Sequence, residues 1–347
     1  MNVNKFHLFS LQYNKLTVTL QKLHRRQQNE QPLNIIYPKS MKPIVDFSTL
    51  PARLRSAERV VTVAVACPAD SHTEEVIERS IAEQFARFTL VANTAKADIA
   101  RRLAADYPDK VTLIVADDDD DAARHAVKEV REGRADVLMK GSLNTDNLLR
   151  AVLNKEEGIL IKGSVLTHIA VADVPSLNHL LFFSDAAVIP YPTTEQYDAI
   201  TRYITDTYRS ITGGDRPRVA LIHCTEKVSE KFPLTLSYEE LKANAAAGAY
   251  GEVEIGGPMD VKTACDAESG AIKGIASPVV GNANCLIFPD IEAGNTFYKT
   301  ITLFGGATVA GMLVGTTAPV VVTSRADTAD SKFYSLATAC LKAINKQ

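Results

Sequence analysis

Residues 111–145 read VTLIVADDDDDAARHAVKEVREGRADVLMKGSLNT, and this stretch decides the fold class. Val111–Ala116 is a short, β-branched apolar run, the signature of a buried strand. The next segment, Ala122–Glu132, reads as a helix. Ala135–Met139 (ADVLM) is a second buried strand, and Met139-Lys140-Gly141-Ser142-Leu143-Asn144-Thr145 leads from it into a further helix. Strands alternating with helices predict a parallel sheet covered on both faces. The acidic run Asp117–Asp121 lacks the spacing of a calcium loop and reads as a solvated helix start.

The same alternation extends upstream. Arg59–Cys67 (RVVTVAVAC) predicts a buried strand, Pro68–His72 a turn, and Thr73–Phe88 a helix. A strand over Thr89–Ala92 and a helix over Ala95–Tyr107 complete that side. Downstream, helices are predicted over Thr193–Tyr208, Ser237–Ala247, Ala293–Phe304 and about Asp327–Ala343. Strands are predicted over Arg218–Cys224, Gly251–Ile255, Cys285–Phe288, Val309–Val314 and Pro319–Thr323. Two α/β units emerge with mostly parallel sheets, crossing near Ala186–Thr194. The predicted partition is 41–190 plus 325–347 for the first domain, with the final helix returning to it, and 191–324 for the second.

Residues 1–40 differ from the rest. Lys5, Lys15, Lys22, Arg25, Arg26 and Lys39 face one acid, Glu30, and Met41 opens a plausible second start. The segment reads as a flexible extension or a start assigned too far upstream, and its deletion is expected to spare folding and activity. Bulk composition is ordinary for a globular domain: 46% hydrophobic, 23% charged, formal net charge -3. That balance points away from nucleic acid and membrane surfaces as partners. No run reaches the roughly 18 apolar residues of a membrane span. The five cysteines are dispersed, odd in number and form no CxxC pair. They predict reduced thiols in a cytoplasmic protein, with neither a disulfide framework nor a zinc site.

In open parallel sheets, ligands bind beyond the carboxyl ends of strands. Three such ends carry anion-ready residues. After ADVLM, Lys140 supplies a cation, Gly141 lets the backbone turn and approach a ligand, and Ser142, Asn144 and Thr145 offer donors at a helix start. Arg150 on that helix adds a bidentate oxyanion contact. After PVVVT, Ser324 and Arg325 form a second site, with Asp327 expected to cap the following helix. After Cys285–Phe288, Asp290 and Glu292 bracket a helix start. Gly294 and Asn295 there hint at close approach by a ligand or another chain. His168 and His179 read as structural histidines. Adjacent side chains on a strand point to opposite faces, which argues against His223 and Cys224 as a pair.

At these motifs the chain resembles the phosphate acetyl/butyryl transferase family. The matching segments are LMKGSLNTDNLLRAVLNKEEG (Leu138–Gly158), FFSDAA (Phe182–Ala187), FPDIEAGNTFYKTITLFGGATVAGMLVG (Phe288–Gly315) and TSRADTADSKFYSLA (Thr323–Ala337). The MKG-x-x-NT and DIEAGN forms look most like phosphate butyryltransferases. The resemblance implies two α/β/α domains around an interdomain cleft, in a fold related to isocitrate and isopropylmalate dehydrogenases. It implies a homodimer or larger homo-oligomer with small-molecule substrates. The implied reaction is acyl-CoA plus phosphate giving acyl phosphate plus coenzyme A, with no metal and no permanently bound cofactor. Ser324 and Arg325 match the family's pair for the phosphoryl group, and Arg150 its helix arginine. Where acetyl-type enzymes carry an Asp proposed as base, this chain has Ser331, with Asp330 adjacent. Backbone N–H groups near Gly141 or Ser324 are expected to hold the oxyanion. Phosphate acetyltransferase, a CoA-ester sensor domain and a dehydrogenase of related fold are the competing readings.

Overall fold

The computed structural model describes residues 43–214, 216–324 and 327–345. In chain order the first elements are α1 (Leu50–Arg55), β1 (Val61–Ala66), α2 (Ser71–Ala82), β2 (Ala86–Asn93), α3 (Asp98–Asp106) and β3 (Val111–Ala116). Next come α4 (Asp119–Arg131), β4 (Val137–Lys140), α5 (Thr145–Val152), β5 (Thr167–Asp173), β6 (Leu181–Ser184) and α6 (Thr194–Thr212). They are followed by β7 (Arg218–Ile222), α7 (Leu234–Ala246), β8 (Glu254–Met259), α8 (Val261–Cys265), α9 (Ala267–Lys273) and β9 (Cys285–Ile287). The chain closes with α10 (Ile291–Leu303), β10 (Thr308–Val314), β11 (Val320–Val321) and α11 (Ala329–Ile344).

The strands form one sheet in the order β3-β2-β1-β4-β11-β10-β5-β6-β9-β7-β8. Pairing is parallel except where β10 meets β11 and β5, and where β5 meets β6. The composition of β1 explains how helices cover both faces. Successive side chains alternate, so Val61, Val63 and Val65 enter the core that also holds Phe85, Phe333 and Leu336. The small Ala64 and Ala66 face the other way, beside Ala122, Ala123 and Ala126 of α4. Short side chains on both partners let that helix lie close to the sheet. Asp118 caps α4 by accepting from the Asp121 amide at 2.8 Å, so the acidic run is the helix start its composition predicts.

Several boundaries differ from the sequence reading. The helix predicted to reach Phe88 ends at Ala82, because Gln84 adopts φ 60° and turns the chain into β2. The strand predicted over Gly251–Ile255 begins at Glu254. β5 and β6 were given no bounds by the sequence reading, which placed His168 and His179 only in or beside apolar strands, and their antiparallel pairing is new. β10 and β11 lie between β4 and β5 in the one sheet. Among the described residues no helix is long and apolar enough to cross a membrane.

Candidate active site

At the end of β4 the sheet pairing continues into the loop. The Gly141 amide donates to Ala66 O and the Ser142 amide to Cys67 O, each at 2.8 Å. A Cβ on Gly141 would lie 2.2 Å from Cys67 O, so only glycine fits. The close approach expected of Gly141 is therefore to the chain's own backbone. Ser142 also donates its hydroxyl to Cys67 O at 3.0 Å. Lys140 is 5% exposed, and its Nζ donates to Gly141 O at 3.0 Å and Leu143 O at 3.2 Å. Asn144 occupies the N-cap position of α5, with Thr145 exposed beside it.

At the end of β11, the Ser324 amide donates to Asp327 Oδ2 at 2.7 Å. Both backbone amides expected to serve as oxyanion donors, at Gly141 and Ser324, thus already have acceptors. Asp327 is not the helix cap. Thr328 takes that role, accepting from the Ser331 amide at 3.1 Å, because its extended backbone turns the hydroxyl towards the first helical turn. Asp327 instead faces back, within 3.5 Å of the Tyr298 hydroxyl. Arg325 lies outside the described residues. Asp330 is 63% exposed at its side chain and pairs with Arg79 at 2.6 Å.

At the third strand end, Asp290 caps α10 through the Ala293 amide at 2.7 Å. Glu292 accepts from the Tyr191 hydroxyl at 2.7 Å. A Cβ on Gly294 would stand 2.1 Å from Asp185 O, and Asn295 donates to Ala186 O at 3.0 Å. The chain approaching Gly294 is its own β6–α6 connection. Asp185 holds that connection in place: its carboxylate accepts from the Ala187 and Val188 amides at 2.7 and 2.9 Å, and from the Thr167 hydroxyl at 2.7 Å.

Two chambers share Thr323 and Ser324 as lining. The first, about 400 Å³, is walled by Lys140, Gly141, Ser142, Lys332, Asp70 and His72. The second, about 310 Å³, is walled by Thr145, His168, Asn295, Tyr298, Lys299 and Ser335. All three strand ends therefore meet around Ser324. Arg150, Asp290, Glu292 and Asp330 do not line either chamber. Arg150 pairs with Asp120 at 3.2 Å in a separate groove between α4 and α5.

Lys332 was not among the residues singled out by sequence, and His168 was read as structural; both line the chambers. Lys332 is 5% exposed, with Nζ 3.7 Å from Asp70 Oδ1. Burial works against the Asp70 carboxylate, but the Thr73 hydroxyl and amide and the Lys332 ammonium hold its pKa below the usual value. Among the described lining residues the first chamber carries two buried ammonium groups, Lys140 and Lys332, and one carboxylate, Asp70. A signal for Lys332 existed in the sequence: it recurs in helical register with the apolar Leu336 and Ala339. His168 is buried in β5, and burial lowers its proton affinity against the pull of Asp185 and Asp327. Its flanking strand gave no sign that the ring would line a chamber. His223 and Cys224 do meet, with Sγ 3.7 Å from Nδ1, because β7 ends at Ile222 and strand alternation no longer separates them. They lie outside both chambers.

A family profile described as "Phosphate acetyl/butaryl transferase" matches residues 101–340. The phosphate butyryltransferase of Clostridium beijerinckii is 36% identical over 87% of this chain and 99% of its own length. The phosphate acetyltransferase of Rhizobium meliloti is also 36% identical, over 76% of this chain and 79% of its own. Among solved structures, a branched-chain phosphotransacylase from Enterococcus faecalis superposes with a TM-score of 0.72 at 28% identity. That match covers 82% of this chain and 99% of the other.

Proposed function

Because the chain belongs to the phosphate acetyl/butyryl transferase family, we propose that the two chambers around Ser324 are the active site of a butyryl-type transferase. The chain is a phosphate acyltransferase. On this reading it exchanges a short acyl group between coenzyme A and inorganic phosphate by direct transfer in a ternary complex. The observation that carries the reading is the shared wall. Ser324 borders both a chamber with two buried lysines and a chamber of mixed polarity, which suits two substrates meeting at one carbonyl. Phosphate occupies the lysine chamber, held by Lys332 and Lys140 and joined by Arg325. The thioester enters from the other side. Phosphate oxygen attacks its carbonyl carbon, and the Ser324 hydroxyl donates to the developing oxyanion.

Arg150 retains a place as an anion contact that swings from Asp120, since an exposed ion pair is worth only about 0–1 kcal/mol. A two-lobed reading with the cleft at the chambers is supported by the lining drawn from β4, β5, α10 and the residues that follow β11. The exposed Leu303 and Phe304 support a homo-oligomer. Free cysteines support a cytoplasmic location.

The test is coenzyme A release from butyryl-CoA with and without phosphate, repeated with acetyl-CoA. Phosphate-dependent release, faster for butyryl-CoA and at least tenfold slower in Ser324→Ala, is expected. Release that ignores phosphate, or a Ser324→Ala enzyme equal to the parent, overturns it. A higher kcat/KM for acetyl-CoA favours the acetyl reading instead.

A further inference from the structure

Acyl transfer to coenzyme A has to move a proton. The thiol has an ordinary pKa near 8.5, and only its thiolate attacks an acyl phosphate well. Sequence offered Asp330 for this task, with Ser331 at the position of the family's aspartate, and both are engaged elsewhere. Ser331 is bound into the α11 cap, and Asp330 pairs with Arg79 on the surface. Within the chambers, Lys140 is held by the Gly141 and Leu143 carbonyls and Lys332 stands beside Asp70. Asp327 accepts from Ser324. Burial and the nearby Asp327 push the Tyr298 phenol far up, so it is no base near neutrality.

His168 differs from all of these. It is 8% exposed and lines the second chamber together with Ser324. Its Nδ1 is buried and has no hydrogen-bond partner among the described residues. Leaving a buried ring nitrogen unpaired is unfavourable, and an incoming donor in the chamber would satisfy it. The surroundings nevertheless keep room for the ring. A Cβ on Gly311 of the neighbouring β10 would lie 2.5 Å from Nε2. The backbone is pinned as well, with the His168 amide donating to Asp185 Oδ2 at 3.3 Å.

Resting on the chamber assignment above, we propose that His168 is a catalytic residue that takes the proton of the coenzyme A thiol. In the acyl-CoA-forming direction the S–H proton passes to the imidazole. The sulfur lone pair forms the C–S bond, and the C–O bond to phosphate breaks with its electron pair leaving on phosphate. In phosphorolysis the hydrogen phosphate oxygen forms the C–O bond and gives its proton to the neutral imidazole, the C–S bond breaks, and the imidazolium so formed passes that proton to the departing thiolate. In the acyl-CoA-forming direction the imidazolium returns its proton to the released phosphate. The charged and titratable groups around the ring are Asp185 after β6, Asp327 before α11, and Lys299 and Tyr298 on α10. Net burial keeps the imidazole neutral at pH 7, the form a base requires.

The experiment follows acyl-CoA formation from butyryl phosphate and coenzyme A between pH 5.5 and 9.5. For the parent enzyme, kcat/KM for coenzyme A is expected to stay level through neutrality up to about pH 8, because burial lowers the proton affinity of His168 and keeps the ring in its neutral form there. A profile that climbs tenfold per pH unit up to about 8.5 tracks the free thiol and overturns the proposal whether or not any variant folds. His168→Gln is expected to lose about a hundredfold in kcat at pH 7. That deficit should shrink about tenfold per pH unit towards 8.5, a signature a structural role would not give. A deficit of constant size, or none, also overturns it. Ser324→Ala is the control: a slow variant with the parent's pH profile upholds the chamber assignment independently of His168. If Ser324→Ala equals the parent, the chamber assignment itself fails.

Discussion

Replacing Lys332 by Met tests the lysine chamber most directly. The ammonium is 5% exposed and stands 3.7 Å from Asp70, facing the same space as Lys140. A charge-assisted contact of this kind is worth about 1.5–3 kcal/mol, and each 1.4 kcal/mol is tenfold. The phosphate KM should therefore rise about ten- to a hundredfold. Stability should change little. Met refills the buried stem with similar volume, and Asp70 keeps the Thr73 amide at 2.9 Å and hydroxyl at 2.7 Å. The Asp70 carboxylate is a third exposed, so the lost pair belongs near the weak end, about 0–1 kcal/mol. The assay is initial rate against phosphate at saturating butyryl-CoA, with butyryl-CoA affinity measured separately by calorimetry and folding by thermal melt. An unchanged phosphate KM, or an equal loss of butyryl-CoA affinity, would refute the assignment of phosphate to this chamber.

Asp330→Asn should cost less than about threefold in kcat, because the carboxylate is mostly exposed and paired to Arg79; a hundredfold loss would restore it as base. Arg150→Ala should raise the KM of an anionic substrate severalfold while leaving the melting temperature unchanged, and a marked drop in melting temperature instead would make it structural. Gly141→Ala should destabilise by about 1–3 kcal/mol, since its Cβ would meet the Cys67 backbone at 2.2 Å and neither strand end can yield; a denaturant midpoint equal to the parent's would contradict that geometry. Asp70→Asn should show a stability gap that depends on pH. The folded carboxyl lies below its ordinary 3.8, so its contribution is complete above that value and fades as pH falls through the lower folded one. Melts at pH 7 and pH 3 should therefore differ more at pH 7, and a pH-independent gap would remove the charge from the explanation.

The alternation of strands and helices was determined by sequence alone, because periods of 2 and 3.6 and β-branched runs are local properties. The glycine at 141 and the helix start at Asp118 were legible for the same reason: turn and cap chemistry is written within a few residues. The family motifs were legible as contiguous strings. Tertiary structure decided the rest. The bounds of β5 and β6 were not set by sequence; β5 pairs with β10, more than a hundred residues away, and β6 with β9, about as far along the chain. Asp327 looked like a helix cap until the fold placed Tyr298 and the Ser324 amide opposite it. Lys332 and Lys140 face one chamber only because β4 lies next to β11, whose chain runs on into α11. His168 becomes a chamber wall only when β10 brings Gly311 against its ring. Local patterning fixes which segments are strand or helix, but which side chains share a cavity depends on long-range strand order, and no local signal carries that information.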